Sequence, residues 1–204
     1  EKNIKKGYDL FAHNYDKWIT WMFKSFKENE KKVRNGIIKN LKIKKNYRIL
    51  EIGCGTGRDT IFLEKKINSK GKLFIQDISE KMINICNKKF NSNKKIFPFI
   101  SNSDELPFED NYFDVIYNFG SFNEFSDPKK VCLEFDRILK IGGMVLIGDE
   151  NIAPWLKQTT YAKIIENNNN IFERDFLPLK FLPENSQDVN LTWVIGKCFY
   201  LITY

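Results

Sequence analysis

One histidine, His13, is all that 204 residues contain, and it stands far from each of the four cysteines. Cys54, Cys86, Cys132 and Cys198 lie 32, 46 and 66 residues apart with no C-x-x-C pair. That spacing argues against a zinc site or a disulfide framework, and no metal is expected. So little histidine also leaves Ser-His-Asp and Cys-His hydrolase chemistry without its base. Prolines number six, and no apolar run approaches the ~20 residues of a membrane helix. The opening Glu1-Lys2-Asn3-Ile4-Lys5-Lys6 has no signal-peptide core. The expectation is a soluble, cytoplasmic protein without a membrane span. Arginine is scarce too: Arg34, Arg48, Arg58, Arg137 and Arg174, against 28 lysines. A nucleic-acid surface invests in arginine, whose planar fork grips phosphates and guanine edges. The net charge of +7 therefore reads as lysine spread by codon bias, and nucleic acid is not the expected partner.

What remains is ordinary globular material, 42% hydrophobic and 29% charged. A chain of this size can bury about 70% of its extended surface. One domain over 1–204 is expected, with a helical N-terminal lid (1–44) on a Rossmann-like core (45–204). Residues 8–42 read as two or three helices, with apolar stripes through Trp18, Trp21, Met22 and Phe26 and through Val33, Ile37, Ile38 and Leu41. Short β-rich runs then alternate with helices: strands at 48–52, 72–76, 96–100, 113–117 and 144–148, helices at 58–67, after Ser79, and after Asp127-Pro128. Alternation of this length predicts a mainly parallel sheet covered on both faces, an α/β fold. The end breaks the pattern. A helix is expected over 154–166, then extended runs at 171–181 and 191–204 that add an antiparallel pair, for seven strands in all.

The most informative stretch is Ile49-Leu50-Glu51-Ile52-Gly53-Cys54-Gly55-Thr56-Gly57-Arg58. A strand ending in closely spaced glycines before a helix lets backbone approach a ligand without Cβ clashes. A dinucleotide site wants G-x-G-x-x-G, whereas this loop is G-x-G-x-G with Arg58 at the third-glycine position. Glu51, two places before the first glycine, would repel a pyrophosphate and suits a cationic or hydroxyl-bearing ligand. Asp77 closes the second strand, where an acid can accept both hydroxyls of a ribose. Together these residues point to adenosine without pyrophosphate.

At this point the chain resembles the class I S-adenosylmethionine-dependent methyltransferases, in the branch with the ubiquinone/menaquinone-biosynthesis enzymes and many small-molecule methyltransferases. The matching segments are Leu50 to Gly57, Asp77-Ile78-Ser79-Glu80-Lys81-Met82, Leu106-Pro107-Phe108 through Ile116, and Arg137 to Gly143, in the family's order. The resemblance implies S-adenosylmethionine as cofactor, S-adenosylhomocysteine as product and a small-molecule methyl acceptor. It places Gly53, Cys54, Gly55 and Gly57 beneath the cofactor, Asp77 on the ribose, and Ile78 and Met82 beside the adenine. Asn102 stands where relatives carry an acid to the adenine amine, and its amide oxygen can still accept that bond. Ser103 and Asn118 would present backbone to the ring and the methionine portion. The N-terminal Tyr8 to Asp16 run also resembles these relatives; seven residues is about two turns, so Tyr8 and Tyr15 share one helix face and would reach the cofactor's carboxylate or reactive centre.

Glu124 follows the fourth strand, where open α/β sheets bind ligands. It is read either as a group that takes the acceptor's proton or pairs with a cationic acceptor, or as a helix-start charge. Asn123, Asp149 and Trp155 are candidates for the acceptor wall. Cys54 reads as a small loop residue, since no base accompanies it; Trp18 and Trp21 read as core. Methyl displacement from a sulfonium needs positioning more than acid–base machinery, so a histidine-poor chain suits it. An RNA or protein methyltransferase, or a cofactor-binding module without turnover, stays open on the residues alone.

Overall fold

The computed structural model describes residues 2–168, 172 and 177–204. Helix α1 (Lys2–Ser25) and helix α2 (Glu30–Lys39) occupy the N-terminal region. Asn29 caps α2, its side chain accepting the Lys32 N–H at 2.9 Å. Ile37, Ile38 and Leu41 are buried as their spacing requires, while Trp21 is exposed. Strand β1 (Arg48–Ile52), helix α3 (Thr60–Glu64), strand β2 (Lys72–Asp77), helix α4 (Glu80–Phe90) and strand β3 (Ile96–Ile100) follow in alternation. Strand β4 (Phe113–Phe119), helix α5 (Pro128–Ile138) and strand β5 (Leu139–Glu150) continue it. Ser79 and Asp127 cap α4 and α5, accepting the N–H groups of Met82 (3.2 Å) and Lys130 (3.0 Å).

Helix α6 (Thr160–Asn168) and strands β6 (Asn190–Val194) and β7 (Phe199–Thr203) complete a seven-stranded sheet, ordered β3-β2-β1-β4-β5-β7-β6. Strands β1 to β5 are parallel, and β7 runs antiparallel to both β5 and β6. Pro98 sits in β3, an edge strand, where a missing N–H costs least. Successive residues of β1 face opposite layers: Ile49 joins the core under α2 and α4, Leu50 the core with Phe135 and Ile138 of α5. Fully burying a side chain such as Phe135 is worth about 2 kcal/mol. A third cluster packs Ile19, Met22 and Phe23 of α1 onto Phe199 and Cys198.

Several expectations change. The helix expected over 154–166 is a 3₁₀ turn at Pro154–Leu156 followed by α6. The break is chemical: Thr159 Oγ1 accepts the Ala162 N–H at 3.2 Å and donates to the Leu156 carbonyl at 2.6 Å, so it caps a fresh helix. The helix expected over 58–67 is reduced to α3, because the glycine loop runs on into it. The extended run expected at 171–181 falls partly outside the described residues, and Pro178–Phe181 is a 3₁₀ turn. Both antiparallel strands lie instead within 190–203, folded by left-handed Ile195, Gly196 and Lys197. Strand β5 starts earlier than expected, with residues 140–143 bulging out between the Leu139 and Met144 pairings.

Candidate active site

The strand order reverses at β1, flanked by β2 and β4, and an open α/β sheet offers a crevice at the carboxyl ends of such strands. Three chain segments meet there: the glycine loop after β1, the β2–α4 turn and the β4–α5 connection. The glycine loop has positive φ at Gly53 (68°), Gly55 (52°) and Gly57 (85°). A Cβ on Gly53 would lie 2.2 Å from Ser121 Oγ, and one on Gly57 2.6 Å from Cys86 Sγ. The first glycine thus admits the β4 connection and the third admits α4.

Asp77 closes β2, with Oδ2 accepting the Gly55 N–H and Oδ1 the Ser79 N–H, both at 2.8 Å. Burial pushes its pKa up to about 6, against the pull of the Ser79 and Gly55 amides. Asp77 lines a cavity together with Ile78, Met82, Asn102 and Ser103. Gln76, which sequence reasoning passed over, lines it too, its Oε1 accepting the Gly53 N–H at 3.3 Å. A second cavity adjoins, walled by Phe11, Trp18, Phe119 and Phe199 with Cys54 and the charged Arg34, Asp149 and Glu150. Tyr8, Tyr15, Gly53, Gly120 and Glu124 line both. The site is two compartments with a common wall.

Glu124 ends a 3₁₀ turn (Phe122–Glu124) that is clamped to β5. Asp149 Oδ2 accepts the Asn123 N–H at 2.7 Å, Asn123 Nδ2 donates to the Glu150 carbonyl at 2.8 Å, and Tyr200 donates to Asn123 Oδ1 at 3.2 Å. Burial, with Asp149 beside it, pushes the Glu150 carboxyl well above the ordinary carboxylate range. Tyr8 and Tyr15 meet edge to face, ring centres 6.5 Å apart. Burial raises both phenols, Tyr8 further under the charges of Tyr15 and Glu124. They therefore act as hydroxyls, not as tyrosinate bases.

Helix α1 reaches this wall because it is strapped across the loops. Ser79 Oγ donates to Asp9 at 2.6 Å, and Asp16 pairs with Arg58 and Lys89, each at 3.1 Å. Arg58 also donates to Glu30 at 2.6 Å, and Glu30 pairs with Arg34 at 2.8 Å. Arg34 is buried, bonded to Asp59 and held over Phe23 and Phe119 at 5.4 and 5.6 Å. Arg58, conspicuous in the sequence for replacing a glycine, is the buckle of this strap. Nothing local in the sequence marks its partner on α2.

Five candidates lie off the cavity walls. Glu51 is buried beneath the glycine loop and accepts the Thr60 hydroxyl at 2.7 Å; burial and nearby Asp59 raise its pKa well above the ordinary range. Gly57 faces α4. Asn118 is fully buried, its Nδ2 tying the Ile52 carbonyl (3.1 Å) to Ser121 Oγ (2.6 Å). Asn123 belongs to the clamp just described. Trp155 is 64% exposed and packs its ring edge to face on Trp193 at 5.9 Å. These placements share a cause: strand tips also carry structural ties, and residue type does not separate such residues from those that face the crevice.

The architecture has counterparts. The sequence model of a methyltransferase domain matches residues 43–191. The chain belongs to the class I S-adenosylmethionine-dependent methyltransferase family. It is 42% identical to the ubiquinone/menaquinone biosynthesis C-methyltransferase of Wigglesworthia glossinidia brevipalpis over 50% of this chain and 42% of that protein. It is 37% identical to a demethylmenaquinone methyltransferase of Staphylococcus aureus over 71% of this chain and 56% of that one. The chain thus spans about half the length of these curated relatives. A solved S-adenosylmethionine-dependent methyltransferase from Aquifex aeolicus superposes with a TM-score of 0.61 at 21% identity, over 83% of this chain and 87% of that chain, a likeness of fold. Among the described residues, no helix is long and apolar enough to cross a membrane.

Proposed function

We propose that the protein transfers a methyl group from S-adenosylmethionine to a small, apolar acceptor, with residues 1–44 as a lid over a single catalytic domain. The carrying observation is the common wall: the compartment organised by Asp77 and a second one bearing Phe11, Trp18, Phe119 and Phe199 meet at Tyr8, Tyr15 and Glu124. The residues fit the cofactor. Asp77 accepts the Gly55 N–H on one oxygen and the Ser79 N–H on the other, and its carboxylate would also accept the ribose hydroxyls. Ile78 and Met82 would flank the adenine, with Asn102 accepting from its amine, Ser103 beside it, and Gly53 and Gly55 beneath the ribose and methionine portions.

When bound, the cofactor supplies an activated methyl on a sulfonium. The protein's own share is positioning and exclusion of water. Phe11, Trp18, Phe119 and Phe199 would stack the acceptor and keep the second compartment dry. The Tyr8 and Tyr15 hydroxyls would donate to the methionine carboxylate or to an acceptor oxygen. Glu124, fixed by the Asn123–Asp149 clamp, would take the acceptor's proton where methylation requires its loss. The aromatic walls, with the quinone-pathway names of the relatives, support a planar acceptor over a polymeric one. Titration calorimetry with S-adenosylmethionine, then a product screen on planar phenols and quinols, tests this reading. Cofactor binding without turnover on any acceptor would favour a non-catalytic module, and no binding at millimolar cofactor would end the proposal.

A further inference from the structure

The entry ends of the parallel strands form a face opposite the crevice, and its charge is one-sided. The stretches at the entries to β1, β2 and β3 are residues 40–47, 65–72 and 91–95. They carry three, four and two lysines and no acid. Backbone bonds hold them side by side. The Asn68 N–H donates to the Lys45 carbonyl at 2.8 Å, the Lys72 N–H to that of Tyr47 at 3.0 Å and the Leu73 N–H to that of Lys95 at 2.8 Å. Seven of the nine lysines are exposed. Among the described residues only Lys95 of these meets a carboxylate, that of Glu64. Acids at the margin are already engaged: Asp114 with Lys140 at 2.6 Å and the Arg48 N–H at 2.7 Å, Asp110 with Arg137 at 2.8 Å. Of 33 basic residues in the chain, 24 lie outside this face, against 26 acids. The face thus holds more positive charge than the whole net of +7, and codon bias alone would scatter lysine instead of gathering it.

An apolar tip stands beside the lysines. Strand β5 bulges at 140–143, just before Met144, which pairs with Val115 at the level of Ile49 in β1. The bulge therefore emerges at the same end of the sheet, two strands or about 10 Å from the entry of β1. Lys140 on it shares Asp114 with Arg48. Ile141, next along, is 99% exposed, and left-handed Gly142 (φ 73°) turns the chain back behind it.

We propose that this face docks the protein on an anionic phospholipid surface, with the lysines against the headgroups and Ile141 in the headgroup–acyl boundary. Lysine ammonium groups on flexible stems act as point charges and suit a fluid array of phosphates that offers no fixed geometry. An exposed apolar side chain among them adds buried area on contact with lipid. Nucleic acid would instead reward arginine forks and open aromatic faces. Here the Arg48 guanidinium lies over the Tyr112 ring at 4.5 Å, and Phe97 is stacked on Phe74 at 5.0 Å with Lys72 above it. The crevice lies at the opposite strand ends, so docking leaves its mouth in water and is independent of the methyl-transfer reading.

Co-sedimentation with vesicles tests this, using phosphatidylcholine alone or with about 30% phosphatidylglycerol, at about 0.1 and 0.5 M NaCl. Binding is expected only with phosphatidylglycerol and should be lost at the higher salt. The triple variant Lys44→Gln, Lys45→Gln, Lys70→Gln should bind about 100-fold more weakly, near fivefold per lysine. A second triple, Lys81→Gln, Lys129→Gln, Lys163→Gln, removes the same charge from the crevice half of the molecule and should bind as the parent does. Ile141→Ser should weaken binding about fivefold and keep the salt dependence. No binding to phosphatidylglycerol vesicles, an equal loss in both triples, or undiminished binding by Ile141→Ser overturns the proposal. So does an RNA hairpin that retains the protein at salt stripping it from vesicles, a result that would give the face to nucleic acid.

Discussion

The two compartments of the crevice are built differently. The Asp77 side is assembled at the adjacent ends of β1, β2 and β3, and two of its bonds to Asp77 come from backbone, from Gly55 22 residues earlier and from Ser79 two residues on. The aromatic side draws Phe11 and Trp18 from α1, Arg34 from α2, Phe119 from β4, Asp149 from β5 and Phe199 from β7. A compartment made by backbone bonds at adjacent parallel strand ends is fixed by the fold. One made by long-range side-chain assembly is free to vary in shape while the sheet stays constant. On the proposed function, cofactor binding would belong to the first and acceptor choice to the second.

Substitutions confined to one side should separate these roles. The largest effect is expected from Gly53→Val, which forces a branched side chain into left-handed backbone and onto Ser121. Cofactor binding should weaken by more than about 100-fold in calorimetry; affinity near that of the parent would mean that the loop is not a contact surface. Asp77→Ala should cost roughly 10–100-fold in cofactor affinity, the size of one or two hydrogen bonds to a charged group. Turnover at saturating cofactor should change far less.

The parent protein also carries a pH signature. Because the ionised Asp77 is the acceptor, cofactor affinity should fall as pH drops through about 6, and Asp77→Ala should flatten that profile. Stability of the unliganded protein runs the other way. A folded pKa raised from 3.8 to about 6 contributes stability below pH 4 that is lost as pH rises through 6, about 3 kcal/mol in total. Chemical denaturation at pH 4 and 7 of the parent and Asp77→Ala reads that difference.

On the common wall, Glu124→Gln should lower turnover by about 10–100-fold while cofactor affinity stays within threefold. The reverse split would move Glu124 to the cofactor side. The smallest effect is expected for Arg58→Ala, which opens the strap to Asp16 and Glu30. Its partly exposed pairs are worth about 1 kcal/mol, so a few-fold rise in both KM values is the outcome to look for in steady-state kinetics.

The same division explains what the sequence made legible. The strand–helix alternation, both helix caps at Ser79 and Asp127 and the glycine loop follow from local chemistry and stand where that chemistry puts them. Asp77 and Met82 line a cavity because an acid and an apolar helix start just after a strand have few other places to go. The β6–β7 hairpin escaped because its turn puts Ile195 and Lys197 in left-handed backbone, with no Asn-Gly signal. Glu51 looked like a second ligand-facing acid, yet it turns inward to Thr60, a choice set by the packing of α3. Arg34 and Asp59 were invisible because a pairing 25 residues apart leaves no periodic trace.

The most direct measurement is a crystal structure with S-adenosylhomocysteine bound. The ribose hydroxyls should meet Asp77, the adenine should lie between Ile78 and Met82, and the sulfur should end at the wall formed by Tyr8, Tyr15 and Glu124, with the aromatic compartment open beyond it. A nucleoside seated among Phe11, Trp18 and Phe199, with Asp77 untouched, would contradict the division of the crevice outright.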